Sequence, residues 1–489
     1  MNLFRFILIF TVFLAVSLKA NEFKVEDVIE LHKQVNLDQL VLETKNDELE
    51  NQVEETNELI KQNDEEINIE EINIDDISNN EIVSVIKSEI IFDLDENIIN
   101  KHLASINDIK SKTLHREFIK ILSNIQLDNK NNIDEKIYFI IKKLYEIGEI
   151  GKAYKIIKSI NIDNISNEDF LNHFYLIELN YLFSTFKLSE VCELKSSLIN
   201  KSIVLSKFLL EKTDIFCSTL ENKFEEAKLF NSLLLDSEKE TDQNFQKLFN
   251  YMILNENNDE NFQSLNKIKS KELIFLYSAM LRINELALDE DFIEIDPLNL
   301  SIPVILSESS KMEIRIKAAN KAFYDEALSI DSLSALYQSV DFNSKEFNNP
   351  EQTILSLNNN KELIMAFYYQ LVNIQIFPDQ RLNVILDYWK FAKSFGLEKI
   401  AYANTKNIIE TFSPTSENTK FGMEVALAHI SNKNYAEALK WINLYENYDS
   451  SYEKIEYAKF LIELNEENNL DLVIKYLSNN YNNFTNLNN

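Results

Sequence analysis

From about residue 89 to the C-terminus the chain repeats one pattern: amphipathic stretches of roughly ten to twenty residues, apolar at three- and four-residue spacing, divided by short polar breaks. That period places the apolar side chains on one stripe of a helix, and such a stripe must be buried against another helix. Residues 137–145 are followed by Gly148, Ala153 and Ile157; residues 177–186 by Leu188, Cys192 and Leu194; residues 209–220 by Phe224, Ala227 and Phe230. Each group reads as helix, turn, helix. With only 4 Gly and 5 Pro in 489 residues, a strand-rich fold would lack the residues its tight turns need. An AT-rich coding bias would also deplete Gly and Pro whatever the fold, so the pattern carries more weight than the composition. Where Gly is missing, Asn is expected to end helices, because it tolerates the left-handed conformation better than other side chains. Asn-rich stretches at 129–132, 358–360 and 479–483 mark such ends.

The small residues Ala153, Cys192 and Ala227 fall early in each second helix, at separations of 39 and 35. These segments resemble degenerate tetratricopeptide-type repeats, whose period is about 34 residues. The clearest matches are Leu144, Gly148, Ala153 and Ile157, and Ala426, His429, Ala438 and Ile442; the family's early Trp and terminal Pro are missing from both. The resemblance implies an all-α solenoid of antiparallel helix pairs, in which the small residue lets two helices approach closely. Spacing becomes irregular between residues 254 and 345. Pro297 and Pro303 suggest a boundary, giving helical-repeat blocks at 89–296 and 297–489, with a closing helix at 470–477. The overall layout also resembles uncharacterised exported helical-repeat proteins of alphaproteobacteria.

That layout begins with residues 1–20, MNLFRFILIFTVFLAVSLKA: a basic start at Arg5, an apolar run, then Lys19 and Ala20. The run is short for a membrane span, so a signal peptide cleaved after Ala20 is expected, with an uncleaved inner-membrane anchor as the alternative. Export to a periplasm places the two cysteines, Cys192 and Cys217, where thiols oxidise. With helices read at 188–200 and 204–222, an antiparallel hairpin brings them together, and a bridge closing about 25 residues contributes about 3 kcal/mol. A reactive cysteine would need a basic neighbourhood, whereas Cys217 lies among Ile215, Phe216 and Leu220.

Residues 21–88 read as an acidic, disordered spacer, with a faint heptad at Leu42, Leu49, Val53 and Ile60 keeping a short coiled coil as the alternative. The whole chain has 80 acidic against 49 basic residues, a net charge of −31, which disfavours nucleic acid and anionic membrane surfaces as partners. No catalytic, metal or cofactor motif emerges. The five histidines, His32, His102, His115, His173 and His429, lack the spacing of a helix-borne metal site, and no Gly-rich loop precedes Lys and Ser or Thr. Soluble lytic transglycosylases also carry a helical superhelix, but the Glu308–Ser309 pair lacks the Gly-containing segment that follows their catalytic Glu. The aromatic cluster Phe367, Tyr368, Tyr369, Tyr388, Trp389 and Phe391 is the candidate groove, with Tyr369, Tyr388 and Trp389 as its site residues and Tyr369 and Trp389 expected at the surface. The expected role is a non-enzymatic scaffold or adaptor for a protein, peptide or envelope component. The alternatives are an accessory subunit or enzyme of peptidoglycan metabolism, and a chaperone-like binder of exported chains.

Overall fold

The computed structural model describes residues 96–467, apart from 107–111, 124–134, 161, 163–164, 199–200, 202, 255–261, 263 and 449–451. The leader, the whole acidic spacer, the heptad and the closing helix expected at 470–477 lie outside the described residues. Among those described, the regular structure is helical throughout, with 23 α-helices and no strand. The chain divides into two compact units between Ala327 and Leu328. Pro297 opens a helix instead of breaking one: it occupies the first turn, where its missing N–H costs nothing, and Asp296 caps that turn by accepting from the Asn299 N–H.

The first unit holds α1 (Glu96–Ser105), α2 (Lys112–Ser123), α3 (Glu135–Glu146), α4 (Ile150–Ser159), α5 (Glu168–Ser184), α6 (Leu188–Leu198), α7 (Leu209–Leu220), α8 (Phe224–Ser237), α9 (Gln243–Leu254), α10 (Lys271–Ile283), α11 (Glu290–Ile295), α12 (Pro297–Leu306) and α13 (Met312–Tyr324). Helix pairs α3/α4, α5/α6 and α7/α8 form hairpins, as the apolar spacing implies. The second unit holds α14 (Ile330–Gln338), α15 (Ser344–Asn348), α16 (Pro350–Ser356), α17 (Lys361–Ile374), α18 (Pro378–Ser394), α19 (Glu398–Asn404), α20 (Lys406–Ile409), α21 (Gly422–Ser431), α22 (Tyr435–Glu446) and α23 (Tyr452–Glu467). Its hairpins are α18/α19 and α21/α22, with α17 packed on both α14 and α18.

All five hairpins share one turn. Each first helix ends at a left-handed residue: Gly148, Phe186, Asn222, Gly396 or Lys433. The N–H of that residue donates to the carbonyl three back, and the next N–H donates to the carbonyl five back, as in Glu149 to Leu144, Lys187 to Leu182, Lys223 to Ser218, Leu397 to Ala392 and Asn434 to His429. This double closure satisfies the orphan carbonyls of the helix end. The second helix then begins two residues after the left-handed one, and the residue five after it is Ala153, Val191, Ala227, Ala401 or Ala438, each with no exposed surface. The repeat register is therefore fixed by the turn. It assigns Val191, not the half-buried Cys192, to the close-approach position, and the separations become 38 and 36. Asn fills this turn only at Asn222. Phe and Lys fill it at two others, while the expected left-handed Asn appears at Asn222 and again at Asn358 and Asn359 after α16; the stretches 129–132 and 479–483 lie outside the described residues.

Cys192 on α6 and Cys217 on α7 are joined, with Cα atoms 5.7 Å apart. The second of these helices starts later than its apolar run suggests. Lys207 and Phe208 are left-handed within the single 3-10 turn Ser206–Phe208, which redirects the chain before α7 begins.

The first unit is not an open stack in which each pair touches only its neighbours. Lys271 Nζ at the start of α10 donates to the carbonyl of Tyr145, 126 residues away, at 3.0 Å, and pairs with Asp296 at 3.3 Å. Asn299 Nδ2 donates to the carbonyl of Gly148, 151 residues away, at 2.8 Å. Gly148 suits this turn because its φ of +92° is one that side chains rarely adopt; a Cβ would also meet the movable Leu298 Cδ1 at 2.8 Å. The α3/α4 turn is thus clamped onto α10 and α12. Nine successive residues of α10, 273–281, are buried, as expected for a helix packed on all sides by α5, α7, α9, α11 and α12.

Two outcomes test this account. Opening the Cys192–Cys217 bridge, by reduction or by paired Ser substitution, is expected to lower unfolding free energy by about 3 kcal/mol in denaturant titration. Replacing Lys433 or Glu285, both left-handed and exposed, with Gly is expected to raise stability by about 1 kcal/mol at each site in the same assay.

Candidate functional site

The aromatic cluster of α17 and α18 separates into core and surface members. Tyr388 has no exposed surface, and its hydroxyl accepts from Asn404 Nδ2 at 3.0 Å. Burial, moderated by the hydrogen bond from Asn404, pushes this phenol well above the ordinary tyrosine range. Trp389 is 3% exposed; its indole N–H donates to Thr405 Oγ1 at 3.0 Å, and its ring meets Tyr402 edge-on at 5.1 Å. Burial raises the Tyr402 phenol to about 12. Phe367 is fully buried between Phe342 and Phe347. Tyr369 is half-buried with its ring edge-on to Tyr337, and burial holds its pKa high.

Two of the three expected groove residues, Tyr388 and Trp389, are therefore packing elements, and Tyr369 is largely one too. The reason is angular. Successive helical residues point about 100° apart, so α18 turns Trp389 toward Thr405 and Tyr402 once Tyr388 is directed into the core.

The surface members are Tyr368, Phe391 and Phe395. Tyr368 lies against Tyr388 at 5.9 Å and against Phe391 at 5.7 Å, and Phe391 meets Phe395 at 5.1 Å. The rings form a ladder that begins in the core and breaks the surface at Phe395, which is 45% exposed. Lys361 Nζ sits 5.7 Å above the Phe395 ring. Burial, reinforced by the charge of Asp387, raises the Tyr368 pKa, so the ring stays neutral. Gly396 follows directly, with φ +68° and nothing within 4 Å of a would-be Cβ; it serves the turn and leaves the ladder's end open. The spacing of 388, 391 and 395 by three and then four residues is the signal that could have identified Phe395 from the sequence. At the opposite end of α18, Ile376 and Phe377 are 72% and 65% exposed.

Elsewhere the ionisable groups hold the fold together. Lys212, 2% exposed, donates to the Lys207 carbonyl at 2.8 Å and pairs with Glu238 at 2.8 Å and Asp242 at 2.9 Å. The Tyr277 hydroxyl on α10 donates to the same Asp242 at 2.5 Å. Burial would raise the Asp242 carboxyl, but the Tyr277 and Lys212 hydrogen bonds outweigh it and hold the group below the usual carboxylate range. Every partner of this knot is satisfied within the protein, which leaves no charge poised for a substrate. Among the described residues no group of three or more His, Cys, Asp or Glu side chains converges as a metal would require, and no helix is long and apolar enough to cross a membrane. A shallow depression of about 340 Å³ at the end of α22 is lined by Glu417, Lys420, Leu444 and Tyr448, among others. No protein-family model, no curated protein and no solved structure matches this chain.

His173 on α5 is wedged edge-on between Tyr138 and Tyr145, with Nε2 unpartnered. Burial first, then the charge of Lys142, lowers its pKa from 6.5 to about 4. The unfolded chain therefore binds this proton more readily than the folded one. Stability is full above about pH 6.5 and is lost as the pH falls toward 4, by about 3 kcal/mol in all. Comparing denaturant unfolding at pH 7 and pH 4 for the wild type and His173→Phe is expected to show a loss about 3 kcal/mol smaller in the variant.

Proposed function

We propose that this chain is an exported scaffold or adaptor, built from tetratricopeptide-like helix pairs, that binds a protein or peptide and performs no catalysis of its own. The observation that carries this reading is the aromatic ladder from Tyr388 through Tyr368 and Phe391 to Phe395. It presents ring surface at little cost in side-chain entropy, on two long helices whose core faces are locked by packing. An exposed ring backed by buried rings and topped by a lysine suits an apolar or aromatic side chain carried by a partner. Export is supported by the joined cysteines, since such bridges persist in oxidising compartments, and by the leader-like start of the sequence. A periplasm is the compartment that fits both features.

The test is site-specific photo-crosslinking in cells, with the reactive residue at position 395 and, as a control, at the exposed Leu229 of the other unit. One discrete adduct is expected at 395 and none at 229, and Phe391→Ser is expected to reduce the first at least fivefold. An even smear from both positions would indicate a general binder of unfolded chains. Cleavage of peptidoglycan by the purified chain would replace this reading with the enzymatic one.

A further inference from the structure

The five hairpin turns share a position four residues before the left-handed corner, where a carbonyl accepts the second closing N–H. It is occupied by Leu144, Leu182, Ser218 and Ala392 in four of them and by His429 in the fifth. An ionisable ring thus stands where the other hairpins have apolar or small side chains. His429 is 1% exposed, and neither Nδ1 nor Nε2 has a hydrogen-bond partner. A neutral imidazole carries one N–H and one lone-pair nitrogen, so a second proton would add a buried donor and a buried charge with nothing to receive them.

Two carboxylates lie just outside this buried site. Among the described residues, the charges that act on the imidazole are Glu437, in the first turn of α22, and Glu410, the residue after α20. Helices α19 and α23 and the 3-10 turn Thr419–Phe421, which also pack on α21, bring none. Glu410 is exposed, and the Glu437 side chain is 33% exposed and pairs with Lys440 at 2.5 Å. Asn434 links the three groups. Its side-chain Nδ2 reaches Glu410 at 3.5 Å, its Oδ1 accepts from the Glu437 N–H at 3.4 Å and so caps α22, and its own N–H closes the turn on the His429 carbonyl at 2.8 Å.

We propose that the α21/α22 hairpin is an acid-sensitive latch: once protonated, His429 leaves its buried site for Glu437 and Glu410, and the turn closed on its carbonyl opens with it. The closed form keeps the ring neutral and dry, whereas the open form gives the imidazolium water and two carboxylates. Burial lowers the affinity of His429 for a proton, and Glu437 and Glu410 offset only part of that, so the open form binds the proton more readily than the closed one. The latch is therefore shut at neutral pH and opens as the pH falls below about 6.5, the ordinary histidine value. Opening also frees Asn432, whose side chain donates to the Tyr402 carbonyl at 2.9 Å and ties α21 to α19. His173 responds to acid in the same direction but belongs to the other unit, so a local readout separates the two effects.

The experiment is hydrogen exchange of the full chain across a series from about pH 7 to about pH 4, read by mass spectrometry and corrected for the intrinsic pH dependence of exchange. Between about pH 7 and about pH 5, protection across residues 422–446 is expected to fall about tenfold or more, while that of α17 changes less than about twofold. His429→Leu, which matches the side chains at 144 and 182, should abolish the fall, and His173→Phe should leave it intact. Glu410→Gln with Glu437→Gln keeps the histidine in place and should move the tenfold point to lower pH by about half a unit or more, a test that stands even where His429→Leu does not fold. Equal loss of protection in α17 and 422–446, a fall that persists in His429→Leu, no fall by about pH 5, or no displacement in the double Gln variant would each overturn the proposal.

Discussion

The first unit depends on the complete burial of one helix. Helix α10 has no solvent face along residues 273–281, so it can exist only if α5, α7, α9, α11 and α12 surround it. Charged groups lie beside this helix, and they are met locally. Lys271 is met by the Tyr145 carbonyl and Asp296, and the Asp242 carboxylate by Tyr277 and Lys212. A buried ion is tolerable when its neighbours complete its hydrogen bonds, and deleting one partner would leave the other stranded. The long-range clamp between the α3/α4 turn and α12 follows from the same burial.

The second unit solves its packing differently. Its buried cross-helix ties are amides and hydroxyls, and the Lys459–Glu446 pair between α23 and α22 lies at the surface. Gln370 Nε2 donates to the carbonyls of Tyr337, Gln338 and Val340 and so satisfies the end of α14; Asn432 Nδ2 donates to the Tyr402 carbonyl; Trp389 donates to Thr405. At the position occupied by Leu144 and Leu182 in the first unit's turns, this unit has His429, 1% exposed with both ring nitrogens unpartnered and its pKa lowered by burial.

Helix content, hairpin pairing and the cysteine bridge were legible in the sequence because each follows from local periodicity and short-range geometry. The apolar spacing around Ala153 and Ala227 placed both residues correctly against the preceding helix. Three features were not legible. The register at Cys192 slipped by one residue, because a small side chain is a weaker marker than the backbone turn that sets the register. The closure onto Tyr145 and Gly148 joins residues more than 120 positions apart, and no local pattern encodes such a contact. The exposed aromatic surface was assigned to Trp389 on ring chemistry, when the three- and four-residue spacing of Tyr388, Phe391 and Phe395 was the better guide to the face they share.

The hairpin turns have a consequence for how such a chain can change over generations. A reversal that most proteins entrust to glycine is made here by phenylalanine and lysine as readily as by Gly148 or Gly396, and left-handed Glu285 and Glu326 end α10 and α13. The strain at each is small beside the burial of two helices, so the architecture tolerates whatever codon drift supplies at these corners. Gly148 differs, because its φ of +92° lies further from what side chains adopt than the values of +54° to +68° at the other corners. Mutational wandering should therefore be broad at most corners and narrower at this one.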